Sequence, residues 1–181
     1  MIVYRLTNVS FTYILFEERL RCTMVSSDDL RGHTAIHVLK GAVVQVLGKS
    51  AKWSANAYSQ GTHGGLAVQF DRKTTSEEIE NIEELANQKI REDAVVETHI
   101  MARSEAEAKW GEDIYDLFPL PNELTIVKIF HLPGWNVNTC GKEHTVTTGE
   151  LGGMKIGKWR YRANKQLLEI SFDVIGINES D

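Results

Sequence analysis

Two pairs of residues with metal-binding side chains lie far apart in this sequence, and they constrain how the chain can fold. His33 and His37 are four residues apart in a predicted helix, and Cys140 and His144 repeat that spacing in a glycine-containing loop. Helix residues at i and i+4 share one face, with Cβ atoms about 5–6 Å apart, which suits two nitrogens on one metal ion. Three nitrogens and one sulfur complete the tetrahedral set that zinc favours. We expect the fold to join helix and loop around one zinc ion per chain.

The histidine spacing alone leaves other interpretations open. Two unrelated histidines on one helix face would show the same spacing. Zinc proteases of the His-Glu-x-x-His type also use it, but they need a glutamate directly after the first histidine as general base. Thr34 occupies that position here, which disfavours a protease.

Composition predicts an ordinary soluble globular protein. The chain has 181 residues, of which 42% are hydrophobic and 25% charged, and its formal net charge is −5. That charge gives no overall basic field, so any contact with nucleic acid must come from a local patch. We find no apolar run long enough to span a membrane and no secretory signal, which predicts a cytoplasmic protein with no membrane partner.

The length of 181 residues predicts a single domain over residues 1–181. The order of the predicted strands and helices indicates the α+β class, with a largely antiparallel sheet packed against helices. Residues 1–25 are rich in β-forming side chains, and Ser26 to Gly48 carries the caps and apolar spacing of a helix. Thr75 with Glu78 predicts the capping box of a second helix, and Ser104 with Glu107 that of a third. The other predictions are strands at 66–70, 95–101 and 125–132, a loop at 133–141, and two strands within 155–174.

A resemblance to a known family rests on three segments: GHTAIHVLKGA at 32–42, NVNTCGKEHT at 136–145 and TTGELG at 147–152. Together they resemble the editing domain of alanyl-tRNA synthetase. They are most similar to its short free-standing relatives, the AlaX-type alanyl-tRNA editing proteins, and more distantly similar to the threonyl-tRNA synthetase editing domain. The similarity runs over about 32–172, so an editing-domain-like core there would follow an N-terminal β-rich extension at 1–31.

The resemblance implies a zinc-dependent trans-editing hydrolase that deacylates mischarged tRNA(Ala), chiefly Ser-tRNA(Ala) and also Gly-tRNA(Ala). A site that hydrogen-bonds the serine hydroxyl can reject alanine by roughly 10⁴–10⁵, because its polar group would otherwise stay unpaired. The motif departs from the synthetase, which usually has Cys-Gly-Gly-Thr-His, since Lys142 and Glu143 lie inside it as in the short relatives. The part of the synthetase that charges tRNA has no counterpart in these residues, so we expect no aminoacylation.

The resemblance also implies a residue that binds the substrate. In the short relatives, a threonine after a Lys-Trp pair meets the hydroxyl of the amino acid. Here Ser54 follows Lys52 and Trp53, keeps the hydroxyl and loses the methyl group. Ser54 is equally compatible with an ordinary turn, in which case Thr34 and Gln60 are the next candidates.

The sequence does not decide what zinc would do. Four protein ligands describe a closed structural site, whereas a catalytic zinc keeps one position open for water. Either His144 or Cys140 is displaced, or zinc positions the substrate for attack by a water held elsewhere. Glu143 is a candidate general base, but the sequence is equally compatible with a surface carboxylate that has no catalytic role.

One predicted strand carries a pattern that suits RNA. Lys158, Arg160 and Arg162 alternate with Trp159 and Tyr161, so one face is basic and the other aromatic. We predict that the three basic residues contact tRNA, although a solvated strand with a buried aromatic face has the same pattern.

Two further functions fit the same residues. One is a non-catalytic tRNA- or protein-binding module that zinc merely stabilises, which the closed ligand set favours. The other is a zinc hydrolase for an unrelated small ester or amide. A hydroxyl at Ser54 beside the metal motifs favours the editing hydrolase over both.

Overall fold

Residues 26–176 of the chain are described by a computed structural model, and they form three α-helices, three short 3₁₀ helices and seven strands. None of these helices is long and apolar enough to cross a membrane. The elements in chain order are α1 Ser27–Leu47, β1 Ser54–Gln60, β2 His63–Gln69, α2 Ser76–Arg91, β3 Glu97–Ala102, α3 Arg103–Trp110, β4 Ile126–Leu132, β5 Asn136–Thr139, β6 Gly153–Arg162 and β7 Leu167–Ile175.

Helix α1 runs through the centre of the molecule. The hydroxyl of Ser26 caps it by accepting a bond from the Asp29 amide, and Gly48, with φ at 87°, ends it. From Thr34 to Val43 every residue is buried, including His37, whereas His33 directly before this stretch is half-buried. The predicted extension at 1–31 falls mostly outside the described residues, and its last residues, 27–31, belong to this helix.

The predicted N-terminal cap is correct for helix α2 and wrong for helix α3. Thr75 and Glu78 form the predicted capping box of α2, and the buried residues of the helix are Ile79, Ile82, Ala86 and Ile90. The cap predicted for α3 at Ser104 is wrong, because the chain passes straight from β3 into a helix that begins at Arg103 without a side-chain cap. Glu107 instead accepts a bond from Arg103, at 3.0 Å.

The described strands form two antiparallel sheets, which confirms the predicted α+β class. The four-stranded sheet has the order β1-β2-β7-β6, and the three-stranded sheet has the order β3-β4-β5. We did not predict β1, because its sequence SANAYSQ is polar and small, which an edge strand paired only with β2 tolerates. The predicted loop at 133–141 is partly wrong, since β5 lies within it.

Strand β4 is buried on both faces and separates two apolar clusters. Phe130 and Leu132 point into the main core, between α1, α2 and the four-stranded sheet. Val127 and Ile129 point the other way, into a small cluster beneath α3. Successive side chains of a strand alternate between its faces, so a nearly continuous apolar strand such as IVKIFHL serves both clusters.

Candidate metal centre and adjoining pocket

The fold brings the two predicted ligand pairs together. His33 and His37 project from α1, and Cys140 and His144 come from the loop after β5. One potential ligand atom from each of the four residues lies within 4.8 Å of the other three. The Nε2 atom of His33 lies 3.0 Å from the Cys140 sulfur, and the His144 ring centroid is 5.0 Å from both helix imidazoles. The described residues therefore contain a cluster that could hold a metal ion.

Thr34 joins the helix to the loop that carries His144. Its side chain is fully buried, and its hydroxyl donates to the Leu30 carbonyl oxygen and accepts from the Thr145 amide, both at 2.9 Å. Since Thr145 directly follows His144, the bond to the Thr145 amide ties the loop to the helix next to a candidate ligand. Thr34 does not line the adjoining pocket described below.

The cluster is buried in a way that leaves polar atoms without partners. His37 is 5% exposed and stacks on Phe130 with ring centroids 4.1 Å apart. Four imidazole nitrogens have no hydrogen-bond partner among the described residues: His33 Nδ1, His37 Nε2, and both nitrogens of His144. Unpaired buried nitrogens cost free energy, and a bound metal ion would remove that cost for those that ligate it.

Burial also sets the protonation of the cluster. It lowers the pKa of His33 to about 4 and that of His144 to about 3, and it lowers the pKa of His37 as well. The imidazoles are therefore neutral near pH 7, and neutral imidazole is the form that binds metals. Burial raises the pKa of the Cys140 thiol, so this residue would have to release a proton to become a ligand. The donor set fits zinc, with the three imidazoles in the neutral form that binds metals and the thiol in need of deprotonation.

A pocket of about 320 Å³ adjoins the cluster. His33, His37 and Cys140 line it from one side, and Ser54 lines it from the start of β1. Ser54 is 6% exposed, and its hydroxyl has no hydrogen-bond partner among the described residues. The pocket thus places an unpaired hydroxyl in the same cavity as three of the four candidate ligands.

The pocket also contains a charged group that sequence reasoning missed. The Lys40 ammonium is 2.6 Å from the Asp116 carboxylate and 2.5 Å from the Asn138 side-chain oxygen. Burial lowers the pKa of Lys40, and Asp116 partly opposes that shift. One available signal was the position of Lys40, a charged residue three positions after His37 on the same helix face.

Two other predicted residues lie away from this pocket. Glu143 is exposed and forms an ion pair with Lys128 at 2.6 Å, beside a second cavity of about 410 Å³ that His33 and Lys142 also line. Gln60 is exposed at the far end of β1 from Ser54.

The predicted basic strand borders an open trough on the outer face of the four-stranded sheet. Arg160 and Arg162 both pair with Glu169, and a bulge between Ile156 and Trp159 interrupts the strand. The trough measures about 550 Å³, and its lining includes Tyr58, Lys158, Trp159 and Arg160. Asn56 lines both this trough and the pocket beside the metal centre.

Comparison with known proteins identifies relatives for most of this chain. It is 35% identical to the alanine–tRNA ligase of Methanopyrus kandleri over 140 residues, which is 77% of this chain and 14% of the relative. The Methanococcus aeolicus and Pyrococcus furiosus alanine–tRNA ligases are 33% and 35% identical over 83% and 70% of this chain. The chain spans only 14–16% of the length of these relatives. No protein-family model matches the chain. The predicted resemblance to alanyl-tRNA synthetase is confirmed.

Proposed function

We propose that this chain, a homologue of one segment of the alanine–tRNA ligases, hydrolyses the ester between a wrong amino acid and tRNA(Ala). Its chief substrate would be Ser-tRNA(Ala), with Gly-tRNA(Ala) as a second. The observation that carries the proposal is the pocket in which the Ser54 hydroxyl lies beside His33, His37 and Cys140. The motif residues Lys142 and Glu143 favour the AlaX type, and we infer that the protein acts in the cytoplasm.

The cofactor in this proposal is one zinc ion held by His33, His37, Cys140 and His144. When bound, zinc supplies Lewis-acid chemistry, by which a water molecule or an ester carbonyl is polarised. Contacts within the protein support two of these ligands: His37 stacks on Phe130, and Thr34 accepts a bond from the Thr145 amide next to His144. Glu143 stays a candidate general base beside His33, with its ion pair to Lys128 as the competing structural role.

Substrate choice would depend on hydrogen bonding in the pocket. A serine side chain can pair with the Ser54 hydroxyl, whereas an alanine side chain would leave that buried group unpaired. Asp116 is 43% exposed on its side chain and lines the same pocket, so its carboxylate is placed to attract the α-ammonium group of the aminoacyl ester. Lys40 and Asn138 hold that carboxylate from behind.

The tRNA would reach the pocket along the sheet. Lys158 and Arg160 can neutralise phosphates, and Tyr58 and Trp159 expose aromatic surface on which unpaired bases can stack. Asn56 connects this trough with the pocket. Arg160 and Arg162 share Glu169, so part of their charge is already compensated within the protein.

A deacylation assay tests the proposal. Purified protein is mixed with Ser-tRNA(Ala), Gly-tRNA(Ala) and Ala-tRNA(Ala), and the predicted order of rates is serine, then glycine, then alanine. The four-ligand cluster favours a second candidate, a non-catalytic zinc-stabilised module. Binding of tRNA without hydrolysis of any of the three esters would support that module and refute the deacylase.

A further inference from the structure

A second cluster of metal-binding side chains lies on the opposite face of β4 from the candidate metal centre. Glu97 and His99 are two residues apart on β3 and therefore share one face, and Glu97 is the register partner of His131 on β4. Phe130, the neighbour of His131, points the other way and stacks on His37. The cluster thus belongs to the α3 side of the sheet and is separate from the first centre.

The three side chains already converge on one point. The same oxygen of Glu97, Oε2, lies 2.7 Å from His131 Nδ1 and 3.1 Å from His99 Nε2. One potential ligand atom from each of the three lies within 4.8 Å of the other two. Trp110 at the end of α3 packs beside both imidazoles, with ring centroids 5.6 Å from His99 and 5.3 Å from His131.

We propose that Glu97, His99 and His131 bind a second divalent transition-metal ion of the class that prefers imidazole, such as Zn²⁺ or Ni²⁺. Two imidazoles and a carboxylate are a known three-ligand set that leaves further positions for water. Paired strands fix the ligand backbones, so little conformational entropy is lost on binding.

The three proposed ligand side chains are partly exposed, so a metal ion can reach them from solvent. The side chains of Glu97, His99 and His131 are 42%, 31% and 19% exposed. His63 and Asp173 also form an imidazole–carboxylate contact, at 2.8 Å, but no third ligand joins them among the described residues. That pair provides a matched control for weak binding by a surface histidine.

Titration with Ni²⁺ near pH 7, followed by calorimetry, tests the proposal. The full chain should bind Ni²⁺ at this cluster, and the affinity should fall at least about tenfold in both His99→Gln and His131→Asn, whereas His63→Gln should leave it unchanged. Using two ligand variants on different strands guards against misfolding of one of them. The dependence on His99 and His131 is the criterion, so failure of the first centre to bind metal does not affect the result.

Tryptophan emission supplies a second readout. Ni²⁺ bound beside Trp110 should quench its fluorescence, and Trp110→Phe should abolish that quenching while Ni²⁺ uptake persists. Uptake that is undiminished in both ligand variants, or absent from the unaltered chain, would overturn the proposal and leave these residues as a hydrogen-bonded triad only.

Discussion

The ammonium of Lys40 lies 2.6 Å from the carboxylate of Asp116, inside the pocket that adjoins the candidate metal centre. The two residues come from α1 and from the segment between α3 and β4, so their contact ties the pocket together. Lys40 is 4% exposed, whereas the Asp116 side chain is 43% exposed. The contact therefore compensates a buried charge and leaves part of a carboxylate free for a ligand.

Removal of Asp116 should destabilise the fold. Asp116→Ala leaves the buried Lys40 ammonium with Asn138 as its remaining partner, and we expect a loss of about 1–3 kcal/mol, which allows for the exposure of Asp116. Urea unfolding measures the loss. Asp113→Ala is the control, because Asp113 pairs with Lys52 at the surface and should cost under about 1 kcal/mol. Equal losses in the two variants would argue against a special role for the pair.

The Ser54 hydroxyl should determine substrate selectivity. Ser54→Ala removes one hydrogen bond, worth about 0.5–1.5 kcal/mol, so hydrolysis of Ser-tRNA(Ala) should fall roughly threefold to tenfold, and its ratio to Ala-tRNA(Ala) hydrolysis should fall with it. Ser54→Thr should keep activity because it retains the hydroxyl. Ser50→Ala, at an exposed serine nearby, should change neither rate. If the ratio of Ser-tRNA(Ala) to Ala-tRNA(Ala) hydrolysis is unchanged in Ser54→Ala, another group must bind the hydroxyl of the substrate.

The basic strand should contribute to tRNA affinity. Replacing Lys158, Arg160 and Arg162 with alanine should weaken tRNA binding and flatten its salt dependence, with the slope falling by roughly one for each phosphate that the variant no longer neutralises. Filter binding over a range of salt concentrations measures the slope.

A charge-matched variant controls for the removal of three positive charges. Alanine at Lys73, Arg91 and Lys109, which are exposed on other parts of the chain, should leave the salt slope almost unchanged. If tRNA affinity has the same salt slope in both triple variants, the basic strand is an ordinary solvated surface and does not contact tRNA.

The capping box of α2 should give a pH-dependent contribution to stability. Bonds from the Arg72 guanidinium and from the Thr75 amide lower the pKa of Glu78 to about 2. A carboxylate whose pKa is lower in the folded state stabilises the fold above its ordinary pKa, about 4.3–4.5, and loses that effect as pH falls towards 2. The stability difference between Glu78→Gln and the unaltered protein should therefore be constant above about pH 5 and shrink in acid.

Local sequence patterns predicted much of the fold, and the reason is visible in particular elements. Helix α2 is predicted by two local patterns: the capping box of Thr75 and Glu78, and the helical spacing of Ile79, Ile82 and Ala86. The helix around His33 and His37 was predictable for the same reason. Strand β1 was not, because its side chains are mostly polar and its pairing with β2 determines its structure.

The candidate site also contains residues that the sequence predicts and residues that it does not. Fixed spacing identified the four candidate ligands, and the structure places them together, while their role as zinc ligands stays a prediction. Lys40, Asp116 and Asn138 carry no shared spacing, because tertiary packing alone brings them into contact. From the sequence alone, Thr34 is a candidate substrate contact. The structure shows that its hydroxyl bonds to the Thr145 amide, a contact between two distant segments that the sequence does not reveal.

The most direct test of this account measures zinc content and hydrolysis in the same preparation. Mass spectrometry should find one tightly held zinc ion per chain, and that protein should deacylate Ser-tRNA(Ala) faster than Ala-tRNA(Ala). The His33→Ala, Cys140→Ala double variant should lose both properties. A full complement of tightly held zinc in the double variant, or equal rates on the two esters by the unaltered protein, would contradict the account.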